Sequence, residues 1–223
     1  SFDPEFAPNG ELFAGDNGPD ADYPDELNWL QQGKHYGFPW RFGQQDNPQQ
    51  FPTYDSSSDR RLQPDFTAVQ IGAYHNDPSF PAAPGPFTDP IANQGPAATQ
   101  YRADDGSAHD AAREHKSLYS LTPHRSPLGL VFASDPSMPA EWQGSDATLS
   151  AFLLSWGAAG GTLSDRGQDL LHLVLTRNGN SYSATTTQIA RGFKNPIDAV
   201  LLGNRLYVLE FSGDSALWVL TFR

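Results

Sequence analysis

The second half of the chain alternates and breaks as a β protein does. Gly129–Ala133, Thr148–Ser155, Asp169–Arg177 and Ser181–Ile189 are apolar-rich runs separated by turn residues, which predicts four consecutive strands. Asn178-Gly179-Asn180 predicts a hairpin between the last two, because these residues tolerate the left-handed backbone of tight turns. Leu171-His172-Leu173-Val174-Leu175 alternates imperfectly, as expected of a strand covered on both faces. Ile197–Leu202, Arg205–Phe211 and Ala216–Phe222 predict three further strands, joined at Gly203-Asn204 and Gly213-Asp214.

The first half carries a weaker pattern. Glu11–Gly15 predicts a short strand after the Asn9-Gly10 turn, and Asn17-Gly18-Pro19 ends it sharply. Asp25–Asn28 reads as a polar turn or a single helical turn halted by Gly33, and Tyr36–Trp40 as an aromatic strand. Gln44–Asp65 is polar and Pro-rich and reads as surface loop, and Thr67–Tyr74 as a strand. His75–Lys116 has no sustained period of 2 or 3.6, which predicts a long Pro-rich loop insert at about 75–117, with a short helix over Ala108–Ser117.

Composition agrees with an all-β chain. Of 223 residues 38% are hydrophobic, while Gly (20) and Pro (19) are abundant; five Trp, fourteen Phe and eight Tyr argue against disorder. A formal charge of −12 opposes nucleic acid as a partner. No apolar run reaches the ~20 residues of a membrane span. Cysteine is absent, which excludes disulfides and thiolate chemistry. An acidic, lysine-poor, cysteine-free composition is associated with exported proteins, so the expected location is periplasmic or extracellular.

Candidate chemistry gathers between Asp16 and Pro39. A turn such as Asn17-Gly18-Pro19 brings carbonyl oxygens together, and calcium binds through such oxygens; the alternative is a tight turn with no ligand. From the residues alone Glu26 reads as the capping carboxylate of a short helix. Asp20, Asp22, Asp25 and Glu26 could serve paired-carboxylate chemistry, or form a solvated or cation-binding loop. His124, beside Pro123, reads as a packed loop residue, and His109 and His115, six apart, do not share a helical face for zinc. G-x-S-x-G, P-loop, dinucleotide and H-E-x-x-H motifs are absent.

Three segments carry a family resemblance. Asn17-Gly18-Pro19, Asp25-Glu26-Leu27-Asn28 and Gly33-Lys34-His35-Tyr36-Gly37-Phe38-Pro39 come first. Pro123–Phe132 follows, then Asn195–Val200 with Arg205–Phe211. Together they resemble, in order and separation, the glucose/sorbosone dehydrogenase family of quinoprotein sugar dehydrogenases. The resemblance implies a six-bladed β-propeller, of which this chain supplies roughly the C-terminal three blades. It implies calcium at Gly18 and Pro19, with Asn17 nearby, orienting pyrroloquinoline quinone. It also implies a structural calcium held through backbone carbonyls at Glu26 and Tyr36, and a cofactor-facing His124 on the rim. The implied reaction is oxidation of a sugar to its lactone or acid.

The sequence departs from that family in three ways. The catalytic base belongs to a region this chain does not contain, so no catalytic residue is expected here. The basic pair over the quinone falls near Asn195 and Ile197, with only Lys194 close by. Ser155-Trp156-Gly157-Ala158 replaces an S-W-N-R segment and loses its arginine. The competing reading is therefore a non-catalytic propeller that serves as a binding or assembly subunit. Either way, the expected partner is an N-terminal half, as a separate chain or fragment, that covers apolar blade faces.

Overall fold

The alternating runs become three β-sheets packed face against face. The computed structural model describes residues 2–157 and 161–223; Ser1 and residues 158–160, Ala158 of the Ser155–Ala158 segment among them, lie outside the described residues. The strands are β1 (Phe2–Phe6), β2 (Leu12–Asp16), β3 (Glu26–Leu30), β4 (Arg41–Phe42), β5 (Gln45–Asp46), β6 (Ala92–Pro96), β7 (Gln100–Arg102) and β8 (Ala108–Asp110). They continue with β9 (Leu118–Tyr119), β10 (Pro127–Phe132), β11 (Thr148–Ser155), β12 (Asp169–Asn178), β13 (Ser181–Arg191), β14 (Pro196–Leu202), β15 (Arg205–Glu210) and β16 (Leu217–Thr221). Among the described residues helix is confined to short turns, of which α1 (Thr67–Gln70) is one, and the chain is of the all-β class.

The first sheet is β1-β2-β3 and the third is β14-β15-β16. The central sheet runs β10-β11-β12-β13 and is extended by β6 and β9; β6 joins β13 in parallel, whereas the four preceding strands are mutually antiparallel. The sheets close into no barrel or ring among the described residues.

Both faces of the central sheet are buried. Ala151 and Leu153 on β11, with Leu171, Leu173 and Leu175 on β12, meet Phe13 and Leu27 of the first sheet. The intervening residues Phe152, Leu154 and Leu170 point the other way, onto Leu206 and Val208 of the third sheet. Consecutive residues of a strand face opposite sides, so a strand between two cores must be apolar throughout, and its alternation fades. His172 sits in the second core between Trp142 and Phe152, where burial lowers its pKa and Ser150 Oγ lies 2.8 Å from Nε2.

The first strands of the three sheets lie side by side. Leu130 N donates to Asp3 Oδ2 on β1 (3.0 Å), and a bulge at Gly129 lets β10 approach β14. Gly129 has φ +52°, and a Cβ there would lie 3.2 Å from Asp198 Cα, so a side chain would wedge these sheets apart.

The strand assignments from Gly129 onward hold to within a few residues. Two earlier strand assignments fail, and two stretches read as turn or loop contain strands. Asp25–Asn28 is neither turn nor helix: Glu26–Leu30 pairs with Leu12–Asp16, and cross-strand pairing overrides the local polarity. Tyr36–Trp40 forms turns whose carbonyl at Gly37 accepts the Trp40 and Arg41 amides, and the strand starts only at Arg41. Thr67–Gln70 is one helical turn, its Ala68 amide bound to Asp20 Oδ2 (2.8 Å). The stretch 75–117 contains β6, the β7–β8 hairpin and no helix at 108–117, because Ala108–Asp110 pairs with Gln100–Arg102. Among the described residues no helix is long and apolar enough to cross a membrane.

Candidate functional site

The ends of β2 and β11 and the starts of β3, β10 and β14 lie at one end of the stack, where the Asn17–Pro19 turn, Asp25, the Pro123–Pro127 segment and Asn195 come together. Asp25 is the joint. Its Oδ1 accepts from Gly18 N (2.6 Å) and its Oδ2 from Ser126 N (2.6 Å), fastening the Asn17 turn to the His124 segment 101 residues away. Burial pushes the Asp25 carboxyl up to about 6, and the two amides pull against that rise. Gly18 is required sterically: a Cβ would lie 2.8 Å from Pro24 O and 2.9 Å from Tyr23 O.

Asn17 Oδ1 is buried in this turn with no hydrogen-bond partner. Such an atom is costly unless it has a ligand. The neighbouring Pro19 carbonyl accepts the Ala21 amide (2.8 Å), which tightens the loop.

His124 and Ser126 adopt the left-handed backbone, φ +63° and +50°, on either side of buried Arg125. Non-glycine residues avoid that region, so the segment is held by its contacts. His124 Nε2 lies 3.1 Å from Asp22 Oδ1, and its ring packs on Phe66 at 4.6 Å. Asp22 Oδ2 accepts from Gln63 Nε2 (2.9 Å), and Arg102 Nε stands 3.3 Å from the same oxygen as an ion pair without hydrogen-bond alignment. A cavity of about 230 Å3 opens beside Asp22 and Arg102, lined also by Gln44, Tyr101, Lys116 and Tyr119. Its mix of amide, phenol and charged groups with apolar walls suits a small polar ligand.

Arg125 is engaged internally, ion-paired with Asp165 and Asp169 and bound to Ser155 Oγ (3.0 Å). Gln188 Nε2 donates to the other oxygen of Asp169 (2.6 Å).

The structure brings Asn17, Gly18, Pro19 and His124 together through Asp25 and Asp22. Lys194 stands at the start of the third sheet with its amide on Glu210 Oε1 (2.6 Å); its exposed side chain enters none of these bonds. Glu26 Oε1 accepts from Gly43 N (2.5 Å) and Oε2 from Asn28 Nδ2 (2.9 Å), and burial raises its carboxyl to about 7. The Tyr36 hydroxyl instead serves the far end of β3, donating to Trp29 O (2.5 Å) and accepting from Gln31 N (2.8 Å). At ~3.3 Å per strand residue that end is about 10 Å from Glu26. Sequence reasoning missed Gln63, Phe66 and Arg102, which no local pattern connects to His124. Among the described residues no three His, Asp or Glu side chains are grouped to hold a metal. No protein-family model, curated protein or solved structure matches this chain.

Proposed function

We propose that the stack is half of a six-bladed β-propeller of the glucose/sorbosone dehydrogenase type, and that its joined loops bind calcium and a small polar ligand of the sugar class. The observation that carries the site is Asn17 Oδ1, buried and unpartnered beside the Gly18-Pro19 turn. A hard cation taking this amide oxygen and neighbouring carbonyls would satisfy it. The propeller reading is supported by three face-packed antiparallel sheets whose first strands lie side by side. Its partner is a second half of like build, whose sheet covers the apolar outer face of β14-β15-β16.

The chain's own residues do not fit the quinone. A tricarboxylate needs unpaired cations, yet Arg102 is ion-paired with Asp22, and Arg125 with Asp165 and Asp169. This favours the binding-subunit reading for the chain by itself. Quinone-dependent oxidation would require the other half to supply both the base and the cations.

Calcium titration by calorimetry into the chelator-treated chain tests the reading. The expected result is saturable heat and a raised melting temperature, both lost in Asn17→Ala. Absence of heat in the wild-type chain would remove the metal site. Heat unchanged by Asn17→Ala would place the metal elsewhere.

A further inference from the structure

Four Asp-x-Ser turns recur along the chain with one geometry. In each, the Asp Oδ1 accepts from both the Ser amide and the Ser hydroxyl: Asp55–Ser57 (3.0 and 2.7 Å), Asp77–Ser79 (2.8 and 2.6 Å), Asp105–Ser107 (2.8 and 2.5 Å) and Asp135–Ser137 (2.9 and 2.6 Å). Turns of this kind are ordinary local structure. The third differs. Ser107 Oγ lies 2.7 Å from His109 Nε2, and His109 Nδ1 lies 2.5 Å from Glu114 Oε1.

The imidazole is held from several sides. His109 on β8 pairs with Tyr101 on β7, and the two rings stack at 5.3 Å and 26°. Glu114 Oε2 accepts from Tyr101 Oη (2.9 Å) and Lys116 Nζ (2.9 Å). Lys116 first, then His109 and Tyr101, hold the Glu114 carboxyl down to about 2, so it stays an acceptor. An acceptor at Nδ1 fixes the tautomer that leaves Nε2 free to take the serine proton. Ser107 is exposed, and a cleft of about 370 Å3 opens beside His109, Arg113 and Glu114.

We propose that Ser107 is a nucleophile for acyl transfer from small esters, with His109 as its base and Glu114 as the positioning residue. Oγ attacks the acyl carbon as its proton passes to Nε2. The ester C–O bond breaks, and the leaving alkoxide takes that proton, leaving Ser107 acylated. Water attacks the acyl-serine with the same nitrogen as base, and the proton returns to Oγ as the carboxylic acid departs. Asp105 fixes the Oγ rotamer and is the competing acceptor for its hydrogen. This site shares Tyr101 and Lys116 with the wall of the cavity beside Asp22 but does not rest on the function proposed above.

The other three turns are internal controls. The full chain is treated with a fluorophosphonate probe, which bonds to serine Oγ with loss of fluoride, and the adducts are mapped by peptide mass. The expected result is labelling at Ser107 about a hundredfold or more faster than at Ser57, Ser79 or Ser137, the low end of what a positioned base contributes. Para-nitrophenyl acetate should be hydrolysed, with the activity lost in Ser107→Ala. His109→Ala should lose labelling and regain part of it in added imidazole, which a purely structural defect would not do. Glu114→Gln should slow labelling with the melting temperature of the chain retained. Equal labelling of all four serines, no labelling, or His109→Ala labelled at the wild-type rate would overturn the proposal.

Discussion

The two outer faces of the stack are built from the same number of strands and end in opposite environments. On the first sheet the outward residues Ala14, Glu26 and Asn28 are buried, with Asn28 only 1% exposed, while Leu12 and Leu30 on the same face are half-buried. On the third sheet they include Val200, Leu202, Leu209, Leu217 and Val219, and Leu217 is 62% exposed. The polar strip of Glu26 and Asn28 is covered and the aliphatic side chains of the third sheet are bare, the reverse of what side-chain polarity alone would give. The covering layer comes from the chain itself. Gly43 bonds to Glu26, and Ala21, Tyr23, Phe42 and Tyr74 form a separate small core over that side. Its loops bring hydrogen-bond donors, which a face carrying a carboxylate and an amide requires. A bare aliphatic face asks instead for another apolar sheet, and at ~25 cal/mol per Å2 even 400 Å2 left uncovered forgoes about 10 kcal/mol.

Substituting a charge on each face breaks the comparison most severely. Ala14→Asp places an unpaired carboxylate where there is no exposure at all, and should cost several kcal/mol, enough to unfold the chain in urea titration. Val219→Asp should leave the unfolding midpoint within about 0.5 kcal/mol of wild type. In sedimentation it should also shift the isolated chain from associated species toward monomer. A stable Ala14→Asp, or a Val219→Asp that unfolds, would show that the faces are assigned the wrong way round.

Truncation within the third sheet sharpens the same point. Leu206 faces the second core and Leu209 faces outward from the same strand. Leu206→Ala should lose about 2–5 kcal/mol and Leu209→Ala no more than about 0.5. Equal losses in the isolated chain would mean that the outer face is already covered.

The smallest effect is electrostatic. Glu26 on the covered face has its carboxyl raised to about 7 from an ordinary 4.5. Between those values the folded state holds a proton that the unfolded state has released, so stability falls as pH rises from about 4.5 to 7, by at most about 1.4 kcal/mol per unit. Asp25, raised to about 6 from 3.8, adds to the same slope over about 4 to 6. Glu26→Gln should flatten the slope in melts across pH 5–7, whereas Val219→Asp should not. A melting temperature flat with pH in the wild-type chain would remove the claim that these carboxyls are buried.

Much of the strand order was legible because a strand writes itself into about ten consecutive residues. Thr148–Ser155, with its period and its bounding turns, is found where the sequence puts it. The Asn178–Ser181 hairpin likewise depends on residues two apart. Asp25–Asn28 was misread because its polarity is that of a turn, while the β-structure comes from pairing with Leu12–Asp16 and cover from Gly43. At the candidate site, Asn17, Gly18 and His124 could be singled out by residue type, but not their connection through Asp25.

The sequence by itself determined the all-β character, the seven C-terminal strands and the tight turns between them, since each rests on steric and periodic rules acting over a few residues. Only the tertiary structure decided which face of each sheet is covered, that Asp22 meets His124, and that Arg125 is neutralised by Asp165 and Asp169. Those partners lie 40 to 102 residues apart. Their meeting is set by how three sheets stack, a global packing that no short window of residue types encodes.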